Sequence, residues 1–152
     1  LVHRLDKFAK GIMVLAHSKN AAANLSKQFQ QRTVQKKYKA LVEGEIISPV
    51  VTETPLDVKE AISRVTPIES KLGNTLIEIQ IDTGRKHQIR RHMAILGTPV
   101  IGDKQYGTGR YPELMLAAIS LSFDCPNTGE RVSFDLPPED HPRLADLPEA
   151  PD

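Results

Sequence analysis

Apolar residues recur with two distinct periods along this chain of 152 residues. Period two dominates. In KKYKALVEG, Tyr38, Ala40 and Val42 alternate with Lys37, Lys39 and Leu41, which predicts a strand ended by Gly44. In LIEIQID, Ile77, Ile79 and Ile81 alternate with Glu78, Gln80 and Asp82, the pattern of a half-buried strand. Ile119, Leu121 and Phe123 alternate with Ser120 and Ser122. The turn residues PNTG follow at 126–129, and RVSFDL returns as a hairpin partner. A weaker strand spans residues 61–70 and is interrupted by Pro67. Residues 11–16 (GIMVLA) are a continuous apolar run of strand length and predict a buried strand. Residues 45–58 contain Pro49 and Pro55 and read as a connection.

The helical period occurs twice. Ser18 is a suitable N-cap for a helix reaching about Arg32, with Ala22, Leu25 and Phe29 on one face. A second helix is predicted from about Lys86 to Leu96. Ile89, Met93 and Leu96 form its stripe, and Gly97 ends it. Strands outnumber helices and there is no regular βαβ alternation. The fold class expected is α+β, a largely antiparallel mixed sheet with flanking helices. The length suits one domain with a real core.

Composition sharpens this reading. One cysteine, Cys125, excludes a disulfide scaffold and a multi-cysteine zinc site. No apolar run approaches the roughly 18 residues of a membrane helix, so no membrane association is expected. The net charge of +1 conceals two unlike parts. Residues 137–152 (PPEDHPRLADLPEAPD) hold five of the eleven prolines, five acids and one base, and read as a solvated tail. The remaining body has 19 basic and 14 acidic residues, a net of +5. Its densest cluster is RKHQIRRH at 85–92.

Three places hold candidate chemistry. HRLDK at 3–7 sets charged residues just before an apolar run. Alone it is best read as an Arg4–Asp6 surface pair, although a positioned carboxylate there could act as nucleophile or base. TGRKHQIRRH at 83–92 puts Arg85 and Lys86 at or before the first turn of a helix, where the dipole disfavours cations. Either this is a solvated basic helix, or an anion binds there. His87 and His92 are five apart, which does not place two ligands on one helical face, and no metal site is expected. Tyr38, flanked by Lys36, Lys37 and Lys39, could stack a nucleobase while cations hold its backbone; alone it reads as a core or rim tyrosine. P-loop, G-x-G-x-x-G and G-x-S-x-G patterns are absent, which disfavours nucleotide cofactors and serine hydrolysis.

Taken in order, LVHRLDKFAKGIMVLA, KKYKALVEG, TGRKHQIRRHMAILGTPVIGDKQYG and LMLAAISLSFDCPNTGERVSF resemble the catalytic domain of RluA-like pseudouridine synthases across residues 1–136. The RKHQIRRH spelling is similar to the tRNA pseudouridine synthase C branch. The resemblance implies an RNA isomerase of the pseudouridine synthase fold. It implies Asp6 as catalytic aspartate, Tyr38 packing on the target uracil, Arg85 paired with the aspartate, and Arg4 helping to hold the flipped-out state. Ile89 and Leu116 are implied in the pocket wall. Lys36, Lys37, Lys39, Lys86 and Arg91 are candidates for RNA phosphate contacts. No cofactor is implied, because the isomerisation involves no redox change. The partner implied is RNA, either rRNA or tRNA, in the cytoplasm, with a monomer expected for the intact enzyme.

Two features depart from the family pattern. Lys10 stands before Gly11 where a small hydroxyl residue is usual, which implies altered loop packing or an extra phosphate contact. The chain also begins at the catalytic motif, so strands that precede it in the family are expected to be missing and the sheet to show an unpaired edge. A catalytically inactive RNA-binding remnant is the alternative. A hydrolase using Asp6 lacks a partner acid or metal.

Overall fold

The computed structural model describes His3, Leu5 and residues 9–148. Its elements are β1 (Lys10–Gly11), α1 (Lys19–Gln30), β2 (Gln35–Glu43), β3 (Val50–Thr52), β4 (Ser63–Lys71), β5 (Asn74–Ile81), α2 (Gln88–Ile95), β6 (Leu116–Asp124) and β7 (Arg131–Asp135). Two single 3₁₀ turns follow, Pro138–Asp140 and Leu144–Asp146.

One seven-stranded sheet runs in the order β1-β6-β2-β5-β4-β3. Only β1 pairs parallel to its neighbour; the other pairings are antiparallel. β1 and β7 share one edge of β6, at Ala117–Ala118 and at residues 120–124 respectively. The α+β class with a largely antiparallel mixed sheet is therefore the observed architecture.

Strand parity decides the two faces. Tyr38, Ala40 and Val42 of β2 lie over one core with Ile77, Ile79, Ile89, Met93 and Leu116. Leu41 lies over another with Leu76, Ile101, Met115 and Leu144. α2 covers the first face through Ile89 and Met93. α1 packs beside it through Leu25, against Leu121 and Phe123. Ser18 caps α1 as its sequence demands, its hydroxyl accepting from the Ala21 amide at 3.1 Å.

Three expectations need correction. Residues 11–16 are not a buried strand. Beyond Gly11 the segment leaves the sheet, and Ile12, Val14 and Ala16 pack inward while Met13 and Leu15 are exposed. The connection 45–58 contains β3, and a tight hairpin is closed by the Leu56–Lys59 pair. Residues 137–148 are not wholly solvated, since Leu144 is buried in the second core and Leu147 packs on it. Arg4 and Asp6 lie outside the described residues.

Candidate active site

The first face carries a cleft of about 400 Å³ between α1 and α2. Its floor comes from three adjacent strands: Lys36 and Tyr38 of β2, Ile81 of β5 and Leu116 of β6. Phe29 and Gln30 of α1 form one wall. Gly84, Arg85, Gln88 and Ile89, at and before the start of α2, form the other. His3 and Ala9 close the remaining side. The volume falls at the low end of ligand sites, which span roughly 300–1,000 Å³. A second cavity of similar size lies between β6 and residues 136–146, and among the sequence-predicted site residues only Leu116 reaches it.

The wall that bears Arg85 is held by buried polar side chains. Gln88 donates to Ile62 O and Ser63 Oγ at 2.9 and 3.0 Å, and accepts from Thr83 Oγ1 at 2.7 Å and from the Arg85 amide at 3.1 Å. Arg90 forms a bidentate pair with Asp103 at 2.8 and 2.9 Å. His92 bonds to Ser63 Oγ and Thr54 O, both at 2.8 Å. RKHQIRRH is therefore not a solvated helix face: Gln88, Arg90 and His92 are buried. His87, the residue before the helix, has φ +52° and leaves the first turn without a side-chain cap. Arg85 precedes that turn. Its Nε donates to Glu60 O at 2.7 Å, and Glu60 is held in turn by Arg32. Among the described residues the Arg85 guanidinium has no carboxylate partner.

The opposite corner is electrostatically unusual. The His3 ring stacks on Phe29 with centroids 4.7 Å apart, and its Nε2 accepts from the Val14 amide at 3.0 Å. Burial, with the Lys36 charge adding, lowers the His3 pKa to about 4. Lys36 Nζ sits 5.5 Å from the Phe29 ring centroid. Burial lowers the Lys36 pKa to about 8, opposed by the Asp82 charge. The site thus combines an aromatic ring, a guanidinium, a half-buried ammonium and apolar walls, an arrangement that suits a flat heterocycle carrying anionic character.

A family profile described as RNA pseudouridylate synthase matches residues 1–95. The chain belongs to that family. It is 36% identical over 163 residues to an uncharacterised RNA pseudouridine synthase of Bacillus subtilis, covering 95% of this chain and 54% of the relative. It is 35% identical over 170 residues to ribosomal large subunit pseudouridine synthase D of Neisseria meningitidis, covering 92% and 46%. The chain thus spans about half the length of the curated relatives it matches. Among solved structures, human RNA pseudouridylate synthase domain containing 1 superposes with a TM-score of 0.79 at 28% identity, covering 90% of this chain and 67% of that one.

In this member of the family, the structure brings Lys36, Tyr38, Arg85, Ile89 and Leu116 to one cleft. It does not bring the other predicted RNA contacts there. Lys37 and Lys39 have the opposite parity to Tyr38 and face the side of the sheet that carries Leu41. Lys37 pairs with Glu78 at 3.7 Å, and Lys39 lies 3.2 Å from His141 Nδ1. Arg91 is engaged bidentately by Asp57 at 3.0 and 3.1 Å. Lys86 is exposed beside the cleft wall. Lys10 lies 3.9 Å from Glu113, both largely exposed. Sequence reading missed His3, Phe29, Ile81 and Gln88. None of the four carried a local signal; Gln88, for one, donates to Ile62 and Ser63, which are distant in sequence.

Proposed function

We propose that this cleft isomerises uridine to pseudouridine in RNA, with the target base flipped out of its stack and with Asp6 as the catalytic carboxylate. The observation that carries the reading is convergence. Tyr38, Arg85, Ile89 and Leu116 come from three separate sequence blocks and line one cleft, and His3, the first residue of the HRLD motif, and Ala9, three residues after it, line it too. Extruding the base costs a few kcal/mol. Stacking on Tyr38 recovers about 1–3 kcal/mol of that. Apolar walls from Ile81, Ile89 and Leu116 exclude water and raise the cost of an ionised carboxylate; a guanidinium such as Arg85 opposes that cost and orients the carboxylate.

We further infer a substrate in large-subunit rRNA, in keeping with the printed names of relatives such as the Neisseria protein. On this reading the enzyme works in the cytoplasm as a monomer, and residues 1–136 form its catalytic unit. The test is incubation of the protein with unmodified rRNA and tRNA transcripts, followed by chemical mapping of pseudouridine. Pseudouridine at discrete rRNA uridines is expected. Salt-dependent RNA binding with no isomerisation on either transcript would instead favour the RNA-binding remnant.

A further inference from the structure

The geometry points to Lys36 as a substrate-touching residue whose ammonium donates a hydrogen bond to a ring oxygen of the bound uracil and stabilises the uracil anion formed when the glycosidic bond breaks. This rests on the activity proposed above. Lys36 stands two residues before Tyr38 on the same face of β2, so its side chain enters the cleft beside the ring expected to stack on the base. The ammonium lies over Gly84, where a Cβ would come within 3.2 Å of Nζ, so the absent side chain leaves it room. Among the described residues Nζ meets no hydrogen-bond acceptor and no carboxylate. Asp82, the acid among the described residues that influences it, is engaged by Arg64 at 2.7 and 3.1 Å. A half-buried cation is costly, and here it faces an open cleft.

The chemistry requires such a group. Breaking the C1′–N1 bond leaves its electron pair on uracil, and the charge spreads to N1, O2 and O4. After the ring turns, C5 supplies the pair for the new C5–C1′ bond. C5 then releases its proton and N1 takes one up, so the product is an isomer and nothing is oxidised or reduced. An ammonium preorganised at a ring oxygen in a water-poor site lowers the barrier at the anionic stage. Arg85 stands on the other wall, where the family resemblance implies pairing with Asp6, so among the described lining residues Lys36 is the cation placed for the base.

The experiment compares wild type with Lys36→Met and Lys36→Arg on a pseudouridine-free rRNA transcript across pH 6–10, with circular dichroism to verify folding. Lys36→Met is expected to lose about 10²–10³ in kcat with KM nearly unchanged. Wild-type kcat is expected to fall as pH rises through about 8, where the ammonium is lost. Lys36→Arg is expected to keep most activity and to lose that alkaline limb, because a guanidinium stays charged. Among the described residues around Lys36, the His3 pKa is lowered to about 4, Asp82 is paired with Arg64, and α1 presents Phe29 and Gln30. Tyr38 shares the cleft and is unchanged in Lys36→Arg, so a limb that persists in that variant belongs to another group.

A second arm does not depend on turnover. Calorimetry with 5-nitrouracil, anionic at neutral pH, and with uracil is expected to show preference for the anion in wild type and none in Lys36→Met. Wild-type kcat in a folded Lys36→Met protein, equal losses in both variants, or no preference for the anion would each overturn the proposal. If the wild type forms no pseudouridine, the activity reading fails, and the base-binding arm alone decides Lys36.

Discussion

Arg90 and Asp103 meet through two parallel hydrogen bonds of 2.8 and 2.9 Å, with side chains only 8% and 0% exposed. Asp103 Oδ1 also accepts from the amides of Gln105 and Tyr106, both at 3.0 Å. The pair ties α2 to the GDKQYG loop and so fixes the helix that carries Ile89 and follows Arg85. Burial pushes the Asp103 carboxyl up, but Arg90 and the two amides outweigh it and hold it below its ordinary value. Removing one partner leaves a buried charge unpaired. Asp103→Asn is expected to destabilise the protein by about 3–5 kcal/mol, read as a lower urea midpoint with unchanged slope. The sign of the pH effect follows from the lowered pKa. The stabilisation is present above the unfolded value and is lost as pH falls below about 4 through the folded one, so wild type should show acid lability that Asp103→Asn lacks.

Gly11 is held where no side chain fits. Its φ is +124°, and a Cβ would lie 2.2 Å from Ala118 O on β6. Gly11→Ala must separate β1 from β6 or strain both. A loss of about 3 kcal/mol or more is expected in thermal or urea unfolding, with reduced activity because β1 begins four residues after Asp6 of the HRLD motif. Stability within about 0.5 kcal/mol of wild type would contradict the close β1–β6 contact.

His3 is expected to titrate near pH 4. Nε2 must be unprotonated to accept from the Val14 amide, so protonation breaks that bond and places a second cation near Lys36. Because the folded pKa lies below the unfolded one, the unfolded chain takes the proton first and stability falls as pH drops from about 6.5 to 4. The ring carbon proton of His3, followed by NMR, checks this; a midpoint near 6.5 would show that the ring is solvated.

RNA affinity separates exposed cations by face. Lys86 lies beside the cleft wall, whereas Lys37 is on the far side of the sheet, 3.7 Å from Glu78. Lys86→Ala is expected to weaken binding to single-stranded RNA and to flatten the dependence of log K on log salt by about 0.7. Lys37→Ala should change neither. Equal effects in a filter-binding series would mean that both faces contact RNA.

Much of this fold was legible because alternation is a strong signal wherever one sheet face is buried. β2, β5, β6 and β7 lie where their periods put them. Residues 11–16 misled because every position is apolar. Only Ile12, Val14 and Ala16 find partners, and an all-apolar run does not show which face is free. β3 is three residues long and owes its pairing to β4, a contact that no local pattern announces. Leu144, among prolines and acids, is buried because the sheet offers an apolar patch around Leu41 and Met115. At the site, Tyr38 and Arg85 stood out by local physics as candidates, and the resemblance supplied their roles. The difference between Lys36 and its neighbours Lys37 and Lys39 was readable from strand parity. The inward turn of Gln88, Arg90 and His92 was not, because their partners come from elements distant in sequence.

The central claim is that the cleft converts uridine to pseudouridine through Asp6. Single-turnover pseudouridine formation on a pseudouridine-free rRNA transcript, with wild type and Asp6→Asn at equal RNA occupancy, tests it most directly. The account predicts product with wild type and a rate at least about 10³-fold lower with Asp6→Asn, the size of loss expected when the acting nucleophile or base is removed. Wild-type rates from the folded Asp6→Asn protein would contradict it.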